Sequence, residues 1–216
     1  MSDVINTWNY FPSSVVNIQK PEFLKIVKKV SEDNLKVTRA KNKKLNELYP
    51  VYMTDNYFND SRIYDFVKYV GETGWRILAD QGYKMDNKEM FFLEMWTQEH
   101  YKYSAMEQHV HIGGSQLIGF YFLECPENSS KLLIHDPRPG KVQINMDQQD
   151  ESQATQASNI INFAPKAGEL FITNSWLPHS FTRHGSDKPM KFVHFNLGFR
   201  YAPQPPVSLE AMAEVI

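Results

Sequence analysis

Gln108-His109-Val110-His111-Ile112-Gly113-Gly114-Ser115-Gln116-Leu117-Ile118-Gly119-Phe120-Tyr121-Phe122-Leu123-Glu124 is the stretch on which the reading of the fold turns. Two histidines one residue apart fall at the head of a strand, where period-2 geometry sets both imidazoles on one face. Gly113-Gly114 reads as a hairpin turn. Aromatic and apolar residues then fill the strand that follows, 116–124. The same texture of short aromatic and β-branched runs, punctuated by Gly, Pro, Asn and Ser, extends over most of the second half of the chain. It predicts strands at 90–99, 108–112, 116–124, 131–135, 160–163, 169–174, 179–183 and 190–199. Eight short strands match a jelly roll built as two sheets of four.

Upstream the period changes. Phe23, Ile26, Val27 and Val30 recur at steps of three and four behind Pro21, and Ile63, Phe66, Val67, Val70 and Trp75 do so behind the capping residues Asp60 and Ser61. The expected organisation is one domain, 1–216: a helical support region at 1–88, a double-stranded β-helix (jelly-roll) core at 89–200 and a tail at 201–216. The class is mainly β with N-terminal helices (α+β). The tail opens on Pro203, Pro205 and Pro206 and is expected to wrap the surface before a short helix at 209–216. The polar stretch between Gly140 and Asn159 is too hydrophilic to pack and reads as a mobile loop or lid.

Composition narrows the function. Lys and Arg number 23 against 25 Asp and Glu, so the summed field gives no reason to expect nucleic acid or an anionic membrane as partner. A small molecule or a peptide is the expected partner; oligomeric state is not readable. Met1 is followed by Ser2 and Asp3 rather than by a basic stretch and an apolar run, and no window approaches a membrane span. The lone Cys125 excludes an internal disulfide and reads as a buried, inert thiol. A cytoplasmic location is expected.

Seven histidines are present. His109 and His111 supply half a metal site, and His179, in Trp176-Leu177-Pro178-His179 just after the apolar strand at 169–174, is the third candidate. A jelly roll brings such distant strands together at its mouth. Imidazole suits iron, zinc, copper or nickel, and three protein ligands leave coordination positions open. His100, His135 and His184 read as structural, or as supporting the site from behind its ligands. His194 shares strand parity with Asn196 and is a candidate pocket residue. Trp96, Phe120, Tyr121, Phe122, Trp176 and Phe195 are assigned chiefly to the core, with a density that suits a water-excluding pocket.

His109-Val110-His111, Gly119-Phe120-Tyr121-Phe122-Leu123, Asp136-Pro137-Arg138, Pro178-His179 and Phe195-Asn196, in that order, resemble the 2-oxoglutarate/Fe(II)-dependent oxygenases, more narrowly the bacterial and phage H-x-H…H group within the prolyl-hydroxylase-like superfamily. The resemblance implies Fe(II) held by His109, His111 and His179, with 2-oxoglutarate as co-substrate. It implies hydroxylation of a C–H bond in a peptidyl or small-molecule substrate as 2-oxoglutarate is decarboxylated to succinate. It further implies a bacterial or phage-infected host cytoplasm. Lys191 stands about where such proteins carry the basic residue for the co-substrate carboxylate, and Tyr121 resembles the aromatic that offers it a hydroxyl. Lys191 and Asn196 differ by five positions and face opposite sides of a regular strand, so Arg183 is the alternative carboxylate binder. Arg138, His194, Asn196 and Trp176 complete the set of residues expected near the substrate. His111 stands where the superfamily carries a carboxylate, which keeps two other readings open. One is a three-histidine cupin-type dioxygenase or isomerase that uses no 2-oxoglutarate; the other is a non-catalytic jelly-roll binding module.

Overall fold

A computed structural model describes residues 4–144 and 146–203. The eight expected strands are all present, as β3 (Lys88–His100), β4 (Met106–His109), β5 (Leu117–Glu124), β6 (Leu132–His135), β7 (Ile160–Phe163), β8 (Glu169–Asn174), β9 (His179–Phe181) and β10 (Met190–Tyr201). Two more precede them, β1 (Val15–Gln19) and β2 (Val51–Met53). The jelly roll is therefore not two sheets of four. β1 and β2 extend one sheet to six strands, β1-β8-β5-β10-β3-β2, facing a four-stranded sheet, β4-β9-β6-β7. Strand pairing is antiparallel throughout. The additions cover the two edges the larger sheet would otherwise expose, where unpaired N–H and C=O groups invite association.

Helix α1 (Leu24–Lys41) and helix α2 (Tyr64–Asp80) lie on the outer face of the six-stranded sheet. Each forms where its apolar residues recur at helical spacing: Val27, Val30 and Leu35 on α1 and Phe66, Val70 and Ile77 on α2 are buried. A single-turn 3₁₀ segment leads into each. The one before α2 is capped as expected, by the Asp60 carboxylate accepting from the Arg62 backbone N–H at 3.0 Å.

Alternation along the strands divides the core in two. Leu117, Tyr121, Leu123, Val193, Phe195 and Leu197 pack against the helices, while Ile118, Phe120, Phe122, Met190, Phe192 and Phe181 fill the space between the sheets. Metal-binding candidates must lie on the second side. The segment 140–159 is tied at its base: the Lys141 ammonium donates to the Ala157 carbonyl at 2.8 Å and to Asn159 Oδ1 at 2.7 Å. Of the expected tail only 201–203 is described; the helix expected at 209–216 lies outside the described residues. Among the described residues no helix is long and apolar enough to cross a membrane.

Candidate metal centre

Pairing of β4 with β9 places His109 directly opposite His179, and cross-strand neighbours on one face are close enough for their side chains to touch. Their ring centroids are 4.4 Å apart. His111 lies two residues beyond the end of β4 rather than within it. Its backbone N–H donates to the Ser175 carbonyl at 2.9 Å, which carries the chain back across the mouth of the barrel. The His111 ring sits 5.1 Å from that of His109 and 5.2 Å from that of His179. One ligand nitrogen from each of the three falls within 4.8 Å of the others.

The hydrogen bonding fits a cation. His109 Nδ1 donates to the Glu107 carbonyl at 2.7 Å and His179 Nδ1 to the Leu177 carbonyl at 3.1 Å. A carbonyl only accepts, so each Nδ1 carries the proton and each Nε2 presents a lone pair. His179 Nε2 and His111 Nε2 are buried with no partner among the described residues. Leaving such an atom unsatisfied costs about 1–3 kcal/mol, a cost that a bound metal removes. Burial pushes His179 down to about 3, with His109, His111 and His135 adding to the fall and the Leu177 carbonyl opposing it. Burial likewise brings His111 to about 4, helped by His109 and opposed by the Asn196 carboxamide. Both rings are neutral at pH 7, the form that ligates.

A cavity of about 680 Å³ opens beside the cluster, lined among others by His109, His111, His194, Trp96, Phe120 and Arg183. Arg183 is the one Arg or Lys among its lining residues; its Nη1 donates to the Tyr103 carbonyl at 3.4 Å. His194 lies on the wall facing the cluster, 4.8 Å from the His111 ring and stacked at 4.6 Å on Phe120. Asn196, next on the same face of β10, donates to Glu94 Oε2 at 2.9 Å.

Four expected site residues are not brought together here. Lys191 points to the helix side of the sheet, where its Nζ lies 3.2 Å from Glu32, 3.4 Å from Glu99 and 3.6 Å from Glu124. The inward position at the start of β10 belongs to Met190. Tyr121 also faces the helices: its ring packs 4.9 Å from Phe66, and its hydroxyl donates to the Lys20 carbonyl at 2.6 Å. Arg138 is folded back onto Asp136, with Nη2–Oδ2 at 2.6 Å, and borders a different recess beside His135. Trp176 is half exposed over another recess with Tyr83 and Gln116. Conversely Trp96, assigned to the core from sequence, lines the cavity. The available signal was its parity on β3, which pairs Trp96 with His194.

Residues 94–196 match the family model described as "Putative 2OG-Fe(II) oxygenase". No curated protein sequence matches the chain. Solved structures with a similar fold include AviO1 from Streptomyces viridochromogenes Tue57, at 10% identity, with 90% of this chain and 93% of that chain covered and a TM-score of 0.60. A prolyl-4-hydroxylase from Pseudomonas putida matches at 10% identity over 89% and 94% of the two chains, TM-score 0.55. The non-heme alpha ketoglutarate dependent carbocyclase SnoK from nogalamycin biosynthesis matches at 11% over 94% and 87%, TM-score 0.57.

Proposed function

We propose, for a chain whose residues 94–196 match the model of the 2-oxoglutarate/Fe(II)-dependent oxygenases, that it works as one, that His109, His111 and His179 hold the Fe(II) and that the protein hydroxylates a C–H bond of a small-molecule or peptidyl substrate. The observation that carries this is the convergence of three imidazole nitrogens, with the Nε2 atoms of His111 and His179 buried and unpartnered, on one side of an open cavity. Iron with 2-oxoglutarate and oxygen, when bound, supplies the oxidising power, with succinate and carbon dioxide as the by-products of the co-substrate.

The protein's own share is binding and orientation. Backbone carbonyls of Glu107 and Leu177 fix two imidazoles in the ligating tautomer before any metal arrives, so little reorganisation accompanies binding. Three neutral ligands leave more positive charge on the metal than a set containing a carboxylate, which favours an anionic chelator such as a 2-oxo acid. Arg183, at the rim of the same cavity, is the residue we assign to the co-substrate's distal carboxylate. Phe120 and the phenyl rings of Phe122, Phe181 and Phe192 behind it keep water from the inner wall. We read residues 1–216 as one unit, with α1 and α2 bracing the sheet that carries His194. Purified protein given Fe(II), ascorbate and 2-oxoglutarate should release succinate even without a prime substrate, and His179→Ala should abolish the release. Succinate release that survives this substitution would refute the assignment.

A further inference from the structure

Trp96 and His194 are direct cross-strand partners on β3 and β10, and both line the cavity beside the histidine cluster. Their rings meet edge to face, centroids 4.5 Å apart and planes at 80°. Trp96 Nε1, which can only donate, and His194 Nε2 are both buried, and neither has a hydrogen-bond partner among the described residues. The His194 side is fixed: its Nδ1 donates to the Gly119 carbonyl at 3.0 Å, so the proton sits on Nδ1 and Nε2 is left as an acceptor. His194 is 2% exposed and cannot turn outward to satisfy itself in water. An unmet donor beside an unmet acceptor is unfavourable for each, and unsatisfied groups of this kind are rare enough in folded proteins to call for an occupant.

The surroundings define that occupant. Phe120 stacks on His194, with Phe122 and Phe192 behind, and the carboxylate on the same face of β3, Glu94, is exposed and accepts from Asn196 Nδ2 at 2.9 Å. The charged residues that line the cavity are Arg183 and Glu107, both exposed. An anion in this cavity is drawn to the metal, and a group that only accepts or only donates leaves one member of the pair unmet. An uncharged group that accepts once and donates once meets both needs.

We infer that Trp96 and His194 form the specificity-determining pair of the cavity, seating an uncharged hydroxyl or carboxamide of the substrate, which accepts from Trp96 Nε1–H and donates to His194 Nε2. The inference rests on reading this cavity as the oxygenase active site, and it names the chemical class of the group the substrate inserts. Peptides reach the pair through an Asn, Gln, Ser or Thr side chain, and small molecules through an alcohol or amide.

The test uses the full-length protein without metal, so that no probe is drawn to a cation, and follows the indole N–H resonances of its four tryptophans, Trp96 being assigned by its loss in Trp96→Phe. Four probes of similar size are titrated: butyramide, 1-butanol, butyrate and butylammonium. The expected result is a saturable shift of the Trp96 resonance with butyramide and 1-butanol, with the two ions binding about tenfold more weakly or not at all. His194→Phe should weaken the butyramide response about tenfold while leaving the other three indole resonances in place. If that variant does not fold, Trp96→Phe replaces it, with butyramide binding read by calorimetry. A Trp96 response to the ions as strong as to the neutral probes, a response that survives His194→Phe, or no response to any probe would each overturn the inference. None of these readings depends on turnover, so they are separable from failure of the succinate assay.

Discussion

Replacing Lys191 with methionine separates the structural account from the one that spacing along the chain implies. In the structure the Lys191 ammonium is shared by three carboxylates at 3.2–3.6 Å, and one of them, Glu99, has a side chain only 1% exposed. Burial opposes the charge on Lys191, yet Glu124, Glu99 and Glu32 outweigh it and hold the pKa above its ordinary value. Removing one partner of a buried pair typically costs about 3–5 kcal/mol. Arg39 still donates to both Glu99 oxygens at 3.0 Å, and Glu32 and Glu124 are partly solvated. The expected loss is therefore smaller, about 1–3 kcal/mol. Urea denaturation of the metal-free protein measures that loss, and calorimetric titration of the Mn(II)-loaded protein measures 2-oxoglutarate affinity. Lys191→Met should lower the first and leave the second within about twofold. Arg183→Met should do the reverse, costing roughly 30-fold or more in affinity, as expected when one partner of a charge-assisted bond is truncated. A Lys191→Met protein of undiminished stability that no longer binds 2-oxoglutarate would refute the placement of this strand.

Gly119→Ala would put a Cβ 2.2 Å from the Phe195 ring and 2.7 Å from the Phe171 carbonyl oxygen. Backbone cannot yield as a side chain can, so denaturation should report a loss at or above the upper end of the usual ~1–3 kcal/mol for overpacking; a loss under about 1 kcal/mol would contradict the packing. His100 is buried between Gln98 and Ser104, with Nε2 and Nδ1 at 2.8 and 3.1 Å from their oxygens. Burial, aided by His184, pushes it to about 3. Below pH 6.5 the unfolded chain therefore binds a proton that the folded one refuses, and stability falls as pH drops from 6.5 toward 3. In metal-free protein His100→Gln should flatten that slope in a pH series of urea midpoints; an unchanged slope would exclude His100 as a source. Saturating Zn(II) at about 100 times its dissociation constant should add roughly 2.7 kcal/mol to stability, an increment that His179→Ala should erase.

The eight core strands were legible because their aromatic and β-branched runs end at clear turn signals. β1 and β2 were not, since Val15–Gln19 and Val51–Met53 are short edge segments whose pairing is decided by the sheet they join. The metal ligands were readable for a local reason, the one-residue spacing of His109 and His111, and for a global one, the return of β9 beside β4. Which wall residues face the site was harder. β5 is buried on both faces, so Phe120, Tyr121 and Phe122 carry no polar alternation to say that Tyr121 turns toward the helices and Phe120 toward the metal. Counting from His179 locates Lys191 along the chain but not across the sheet. Its parity clash with Asn196 was the correct signal, and the structure resolves it with Met190, Phe192, His194 and Asn196 on the inner side. Trp96 was assigned chiefly to the core because a tryptophan in a strand is read so until its N–H is found without a partner.

A crystal structure of the protein reconstituted with Mn(II) or Fe(II), with the metal located by its anomalous scattering, tests the central claim most directly. The expected result is one ion within about 2.0–2.3 Å of a nitrogen from each of His109, His111 and His179, with its open side toward Trp96 and His194. An ion bound elsewhere, or at bonding distance from only one or two of these imidazoles, would contradict it.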